Sequence, residues 1–463
     1  MTIVSILRIS IIQHVSSRIR FGNFMHAKEE AFQIAEAGLF EYRWYLAHEI
    51  DGKSIQEAKA FWQQVEEKPR GLGSDYEADY YEGGQDSLKI GSYSVSVSLD
   101  NPNNPSLITV ESRGRSDKYP NNPRTVRAKL RRSSWSDYVV LTNEYSHFDS
   151  GWDITGKIMS NTGVHFDGVA HNVVYAGATQ YLDPDTGTNK AGVWTKWADE
   201  YNALKASKVF LAGKRYPVVK KDFAGVSVDL SAMKTVASGA GTNRCNLDAC
   251  YFENEGVGRQ IIFKTDGKFD LYTINQIKNN SNSIKNKSYV NTFDIPADGV
   301  IYVNGNAWVQ GTVNSNRVTV VAAIFPNSGT SANIFIGDQN LRYSNYDGSD
   351  VIGLIAQGDI EVSEDSLSDF RIDAAILAQN GRVWKKDYNP TCCGGGCVIN
   401  KNSIIIFGSV ISNKKIDFTL AKEGCPPKGF NNKDIIYDNN LLENPPPYFP
   451  SDSYYVFDLW EEL

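Results

Sequence analysis

Polar and apolar residues alternate through residues 299–323, which read GVIYVNGNAWVQGTVNSNRVTVVAA. The alternation stops at Asn304-Gly305 and again at Asn314-Ser315-Asn316, and such clusters favour tight turns. A period of two places one side of a strand in the core and the other side in solvent. The segment therefore predicts short strands that are joined by tight turns.

A short sequence pattern recurs along the rest of the chain. Glycine stands two residues before a β-branched residue in four pairs: Gly311 and Val313, Gly358 and Ile360, Gly381 and Val383, and Gly408 and Val410. The last three glycines are 23 and 27 residues apart. Repeats of that length, without helical periodicity between them, are typical of a β-solenoid. We predict a right-handed β-solenoid, and a β-sandwich, which also has many short strands, stays open as the alternative.

The spacing changes to three and four residues after His26, which predicts an amphipathic helix. One stripe of this helix is apolar and partly made of small residues: Ala27, Ala31, Ile34, Ala35, Gly38 and Leu39. Small residues allow a second helix to approach closely, so this stripe is predicted to dock with other helices. The alternative is that it packs against the chain's own domain.

Residues 1–24 are apolar but are interrupted by Arg8, His14, Arg18 and Arg20. A membrane-spanning helix needs about 20 predominantly apolar residues, and a signal peptide needs a continuous apolar region. We therefore predict no intact export signal in this sequence and hypothesise that its start is truncated or altered. Membrane attachment is expected only if an upstream hydrophobic helix is missing from the sequence.

Composition limits the classes of fold and partner. The chain has 463 residues, a net charge of −7 and no long run of Lys and Arg, which disfavours a nucleic-acid partner. The fold class is predicted as mainly β, with an N-terminal helix and a small antiparallel sheet before the solenoid. Residues 278–288 (KNNSNSIKNKS) are predicted to form a loop that does not pack. The predicted domains are a helical stem at 1–50, a small α+β module at 51–133, the β-solenoid with inserted loops at 134–440, and a proline-rich C-terminal tail at 441–463.

The six cysteines are candidates for disulfides: Cys245, Cys250, Cys392, Cys393, Cys397 and Cys425. Disulfides would fit an extracytoplasmic protein, but six cysteines allow about 15 pairings and the sequence does not choose among them. A zinc site made of the last four thiolates is the alternative, although adjacent cysteines do not match the usual C-x-x-C spacing.

Three groups of polar residues could carry other chemistry. Asp183, Asp185 and Asn189 resemble the start of a Ca²⁺ loop, although the same sequence is a good turn without metal. His147, His165 and His171 raise the question of a metal, but they lack the usual metal-ligand spacing. A carboxylate pair could perform acid/base hydrolysis, but Asp359 and Glu361 are predicted to point outward and the others to lie in solvated turns. The candidate carboxylates are Asp359, Glu361, Glu364, Asp365, Asp369 and Asp373.

The segment AKEEAFQIAEAGLFEYRWYLAH (27–48) resembles the region that follows the membrane helix in PilX-type minor pilins of type IV pili. The matching residues are Ala31, Ala35, Glu36, Ala37 and Gly38. Residues 134–463 resemble an uncharacterised extracytoplasmic β-helical domain that occurs behind such N-termini. The resemblance carries no established enzymatic activity.

These observations together lead to an expected function. We expect a non-enzymatic structural or adhesive protein of a type IV pilus-like system, at the cell surface and without a required cofactor. Its expected partners are other pilin subunits, and its solenoid would be exposed to a polysaccharide or a host-surface ligand. A polysaccharide-acting β-helix enzyme and a self-assembling β-solenoid scaffold are the alternatives.

Overall fold

The computed structural model describes residues 2–53, 55–83, 88–99, 107–247, 249–296, 299–326, 329–388, 400–422 and 425–463. The chain forms two compact units. Met1–Ser133 and Ser451–Leu463 form the helix–sheet unit, and Ser134–Pro450 form the inserted unit, which interrupts the first unit in sequence.

The helix–sheet unit contains a helix of 48 residues, α1 (Thr2–Glu49), and a short second helix, α2 (Ile55–Trp62). Its sheet contains β1 (Tyr76–Tyr81), β2 (Lys89–Leu99), β3 (Leu107–Ser116), β4 (Arg124–Ser134) and the C-terminal strand (Ser451–Glu462), in that order. The first three pairings are antiparallel. The helix was predicted to begin at His26, but it begins at Thr2.

The small-residue stripe of α1 packs against this sheet. Ala31, Ile34, Ala35 and Leu39 are at most 1% exposed, and the last three join apolar residues of β2 to β4 in one core. Alternate residues of β4 face this core because side chains on a strand alternate between its two faces.

The stripe packs against the chain's own domain, as the alternative predicted, and its docking with other helices stays a prediction. Ala27, Ala31, Ile34, Ala35, Gly38 and Leu39 are all buried within the helix–sheet unit. The small side chains do permit close approach, but the element that approaches is the chain's own sheet.

Gly114 on β3 explains how close the helix comes. A Cβ atom added there would overlap the backbone oxygen of Ala31 and the backbone nitrogen of Ala35. Gly38 on the helix lies similarly against Ser112 and the ring of Tyr93. Backbone atoms cannot move aside as a flexible side chain can, so the contact requires glycine.

Part of the range predicted as a C-terminal tail, 441–463, forms a strand. Residues from Ser451 onward are the last strand of the sheet beside β4, and Arg127 pairs with Glu461 at 3.1 Å. The Nε1 of Trp62 donates a hydrogen bond of 3.1 Å to the hydroxyl of the buried Tyr455. The ranges 1–50 and 51–133, predicted as separate domains, belong to one unit with this strand.

The inserted unit is mostly strand. Its first strands are β5 (Tyr138–Thr142), β6 (Ser146–Phe148), β7 (Asp153–Ile154), β8 (Lys157–Ser160), β9 (Val164–Phe166), β10 (Val169–Ala170), β11 (Val174–Ala176), β12 (Gln180–Asp183), β13 (Thr188–Ala191), β14 (Val193–Trp194), β15 (Lys214–Arg215) and β16 (Arg244–Cys245). Three helices lie among them: α3 (Lys196–Asp199), α4 (Ala203–Ala206) and α5 (Val226–Ser238).

Longer strands follow: β17 (Ala249–Glu253), β18 (Gly258–Phe263), β19 (Lys268–Ile277), β20 (Ile284–Asp294), β21 (Val300–Asn304), β22 (Ala307–Val313), β23 (Arg317–Ala322) and β24 (Ile334–Tyr343). The last strands are β25 (Val351–Ala356), β26 (Ile360–Val362), β27 (Asp369–Ala378), β28 (Val383–Trp384), β29 (Asn400–Ser412), β30 (Thr419–Lys422) and β31 (Cys425–Tyr437).

From β21 to β27, each strand pairs in parallel with the strand two positions further along. One ladder runs β17, β21, β23, β25, β27, β29, and a second runs β18, β22, β24, β26, β28. The first ladder continues from β29 into β5, β8 and β11, so strands from the start of the unit pair after strands from its end. The order of pairing is therefore not the order of the chain, which the repeat spacing did not predict.

Register within the first ladder places aliphatic residues in one continuous row. Each member pairs with the next, and each is 0% exposed: Cys250, Ile301, Val320, Leu354, Ile376, Val410, Val140, Ile158 and Val174. This row is the centre of the unit's hydrophobic core.

The segment predicted as an unpacked loop at 278–288 contributes to this unit. Ser281, Asn282 and Ser283 are buried, and Ile284 begins β20. Asn282 is fixed on both sides, because its backbone oxygen accepts from Trp308 Nε1 at 2.9 Å and its side-chain oxygen accepts from the Glu364 backbone nitrogen. The polar composition of residues 278–288 did not predict this packing.

Gly114→Ala tests the contact between α1 and the sheet. We expect a loss of about 1–3 kcal/mol in the free energy of unfolding of the helix–sheet unit, because the added carbon overlaps backbone atoms. Urea denaturation followed by circular dichroism measures it. Gly22→Ala is the control, since nothing lies within 4 Å of that position and alanine favours a helix. Equal stability of Gly114→Ala and the wild type would contradict the close approach.

Candidate functional site

The most concentrated group of titratable side chains is built on three short parallel strands of the inserted unit. His147 on β6 pairs in register with His165 on β9, and His165 pairs with Trp194 on β14. The two imidazole rings stack 4.1 Å apart, and Trp194 stacks on His165 at 3.9 Å. Parallel register thus brings together side chains that are far apart in sequence.

Four aspartates surround the two histidines, and together they form what we call the His–Asp cluster: His147, His165, Asp149, Asp167, Asp183 and Asp185. On one side, Asp167 Oδ2 lies 3.2 Å from His165 Nε2 and 4.0 Å from His147 Nε2. On the other side, Asp185 Oδ2 lies 2.9 Å from His147 Nδ1. Each imidazole therefore has a carboxylate near both ring nitrogens.

The interior of the cluster is shielded from water. The side chains of His165 and Asp167 are 6% and 1% exposed, whereas that of His147 is 20% exposed. Burial, followed by the neighbouring His147, lowers the pKa of His165, and the nearby carboxylates oppose this shift.

Asp183 has a structural role beside the cluster. Its Oδ1 accepts backbone hydrogen bonds of 2.9 Å from Asp185 and Thr186, and its Oδ2 accepts from the hydroxyl of Tyr181 and from Trp194 Nε1. Burial acts to raise the pKa of Asp183, but the bonds from Thr186 and Tyr181 outweigh it and the pKa lies below its usual value.

The predicted Ca²⁺ ligands Asp183, Asp185 and Asn189 lie on the β12–β13 hairpin and its turn. Asn189 pairs with Leu182, which is 65% exposed, and its own side chain is exposed. Asp183 is 0% exposed, because neighbouring strand residues face opposite sides. Asp183 orders the turn through its hydrogen bonds, and Ca²⁺ binding by these residues stays a prediction.

The six carboxylates considered for hydrolysis do not form one group. The Oε2 of Glu361 accepts from the hydroxyl of Tyr388 at 2.6 Å, and Asp373 accepts from Arg371 Nε at 2.7 Å. Asp365 pairs with Lys278 at 2.7 Å, and Asp369 accepts from Ser403 at 2.7 Å. Glu361 was predicted to point outward, but it is 3% exposed, because the strand that carries it lies inside the unit.

Lys385 is buried near Glu361 and is 6% exposed. Its Nζ donates to the backbone oxygen of Ser363 at 3.0 Å. Burial, followed by the charge of Lys401, lowers the pKa of Lys385 to about 8. This buried amine was not singled out from the sequence, because nothing in its neighbours distinguishes it from the exposed Lys386.

The cysteines are described only in part. Cys245 and Cys250 form a disulfide. Cys392, Cys393 and Cys397 lie outside the described residues, as does the side chain of Cys425, so the thiolate zinc site stays a prediction.

The exposed side of α1 carries a second candidate surface. Phe40 and Trp44 are 62% and 58% exposed, and Phe40 meets Phe457 of the C-terminal strand edge to face at 5.6 Å. A groove of about 320 Å³ lies here, lined by Glu36, Leu39, Phe40, Phe457 and Trp460. Among the described residues, no helix is long and apolar enough to cross a membrane.

Comparison with known proteins adds little. No protein-family model and no curated protein matches the chain. Among solved structures, the competence-associated pilin ComZ from Thermus thermophilus is similar at a TM-score of 0.36 and 12% identity, covering 94% of this chain and 97% of that chain. This TM-score is too low to establish a shared fold, so no argument rests on the likeness.

Lys385→Met tests the buried amine through the pH dependence of stability. The unfolded lysine has a pKa near 10.4, so above pH ~8 the unfolded chain binds more protons and stability rises with pH. We expect the wild type to gain about 1 kcal/mol per pH unit there from this group, and the variant to lack this gain. Urea denaturation at several values from pH 7.5 to 9.5 measures it. Lys386→Met should keep the wild-type slope, and a wild-type slope in Lys385→Met would contradict the assignment.

Proposed function

We propose that the chain is a non-enzymatic, extracytoplasmic structural subunit of a type IV pilus-like assembly. The observation that carries the proposal is the uncovered first half of α1. Every side chain from Arg8 to Asn23 is exposed, and large apolar residues are among them. A helix with bare apolar side chains in water is a typical interaction surface.

Four of the exposed apolar residues lie on one side of the helix, whereas the exposed Ile9 and Phe21 lie outside this face. Ile11, Ile12, Val15 and Ile19 are 61%, 63%, 49% and 58% exposed. At 3.6 residues per turn they fall within an arc of about 100°, which is the width of a helix-packing face. Covering such a side chain contributes about 1.5–3 kcal/mol, so four of them can hold a neighbouring helix.

The composition around this face favours a second pilin helix as the occupant. Arg8 and Arg18 lie beside the apolar residues, so the partner helix is expected to present carboxylates. The PilX-type resemblance of residues 27–48 supports the same class of partner. Because the small-residue stripe is occupied by the sheet, docking is assigned to residues 8–23 instead.

The inserted unit is proposed to be a right-handed β-solenoid that is exposed for adhesion. From β21 to β27 each strand pairs in parallel with the one two positions along, which supports stacked coils, and right-handed crossovers are the rule for parallel strands. The disulfide between Cys245 and Cys250 supports an oxidising, extracytoplasmic location.

Filament fractions sheared from the source cells test the docking face. We expect the wild-type chain in these fractions and at least tenfold less of the double variant Val15→Asp with Ile19→Asp, because charge on the apolar face prevents helix packing. Immunoblotting of the filament and cell fractions measures the distribution.

Gln13→Asp with Ser17→Asp is the matched control, since both residues are exposed and lie on the opposite side of the helix. It adds the same charge and should leave the distribution unchanged. Circular dichroism of both purified variants checks that they fold. A wild-type chain that never enters the filament fraction, or equal loss of both variants, would argue against the proposed role.

A further inference from the structure

The His–Asp cluster contains buried polar atoms that make no hydrogen bond, although Asp167 Oδ2 is in ion-pair contact with Lys196. Within the described part of the chain, His147 Nε2, His165 Nε2 and Asp167 Oδ2 have no hydrogen-bond partner. Ligand atoms of these three residues all lie within 4.8 Å of one another. A buried polar atom without a partner costs about 1–3 kcal/mol, and a bound ion removes that cost by giving each lone pair a positive charge to contact.

We propose that His147 Nε2, His165 Nε2 and Asp167 Oδ2 bind a divalent transition-metal ion of the zinc class. Two imidazole nitrogens and one carboxylate oxygen are a common donor set for such ions. Ca²⁺ prefers oxygen donors alone, which disfavours it here. The site does not depend on the proposed pilus role.

The separations of the donor atoms fit a compact ion. Bonds of about 2.0–2.2 Å in a tetrahedron place neighbouring donors ~3.4 Å apart. Asp167 Oδ2 is 3.2 Å from His165 Nε2 and 4.0 Å from His147 Nε2. Because the two rings are stacked, the more exposed His147 ring must tilt out of the stack to direct its Nε2 lone pair at the ion. Asp149 Oδ1, 3.5 Å from His147 Nε2, is placed to serve as a fourth donor.

Surrounding groups orient these donors. Asp185 Oδ2 lies 2.9 Å from His147 Nδ1. A carboxylate at this nitrogen favours the tautomer with the proton on Nδ1 and the lone pair on Nε2, as in many carboxylate–histidine–metal sites. Thr195 Oγ1 and the backbone nitrogen of Lys196 donate to Asp167 Oδ1 at 3.1 and 3.0 Å, which leaves Oδ2 for the ion.

The composition of the cluster also suits a cation, because four of its six side chains are carboxylates. Lys196 Nζ lies 3.3 Å from Asp167 Oδ2, but its side chain is 39% exposed and can turn into solvent when the ion binds.

Metal binding to the purified full chain tests the proposal. The chain is first treated with a chelator and its accessible thiols are alkylated, so that cysteines cannot supply the ligands. Isothermal titration with Zn²⁺ should give one site, and Co²⁺ should give visible absorption of a nitrogen–oxygen site without a thiolate charge-transfer band. The melting temperature should rise with Zn²⁺ and not with Ca²⁺.

Variants assign the ligands. His147→Asn and Asp167→Asn should each weaken Zn²⁺ binding at least tenfold, and Asp185→Asn should weaken it about tenfold through loss of orientation. His171→Asn is the control, because His171 lies in the same unit, is exposed and pairs with Asp153 outside the cluster. It should bind as the wild type does.

Folding is checked by circular dichroism and by the melting temperature in chelator, so a lost site can be separated from a lost fold. Failure of the alkylated wild type to bind Zn²⁺ would overturn the proposal, as would a preference for Ca²⁺. Wild-type affinity in folded His147→Asn and Asp167→Asn would overturn it too.

Discussion

Parallel, in-register strand pairing is the constraint on which the inserted unit depends. When strands pair without a shift, each side chain lies directly against its counterpart in the next strand. The same rule stacks Leu354 on Ile376 in the core and His147 on His165 in the polar cluster. A buried aliphatic row stabilises the unit, whereas a stack of two imidazoles between aspartates creates a site for chemistry.

The helix–sheet unit depends on a different contact, in which a helix lies directly on a glycine. Gly114 lets the backbone of α1 touch β3, so the alanines at 31 and 35 are used inside the unit. This contact determines which part of the helix is available to partners. Its second half is occupied by the sheet, and its first half presents Ile12, Val15 and Ile19 to solvent.

Much of the local structure was readable from the sequence. The period of three and four residues correctly identified the buried stripe on α1, and alternation correctly identified the strands at 300–322. The recurring glycine pattern correctly matched Gly358 with Gly381. The residues two positions after them, Ile360 and Val383, pair with each other in neighbouring strands. The pattern failed at Gly408, because Val410 pairs with Ile376 in another ladder. A short sequence pattern cannot predict to which ladder a strand belongs when both ladders favour the same residue types.

Side-chain periodicity by itself determined which residues share a face, because that depends only on the geometry of a helix or strand. Only the tertiary structure decided which faces meet. It paired the C-terminal strand with a sheet begun over 300 residues earlier, placed β5 beside β29, and buried Glu361. It also brought His147 to His165, although no local metal-ligand spacing links them. Such contacts depend on pairing between strands that are far apart in sequence, and the local sequence pattern does not predict that pairing.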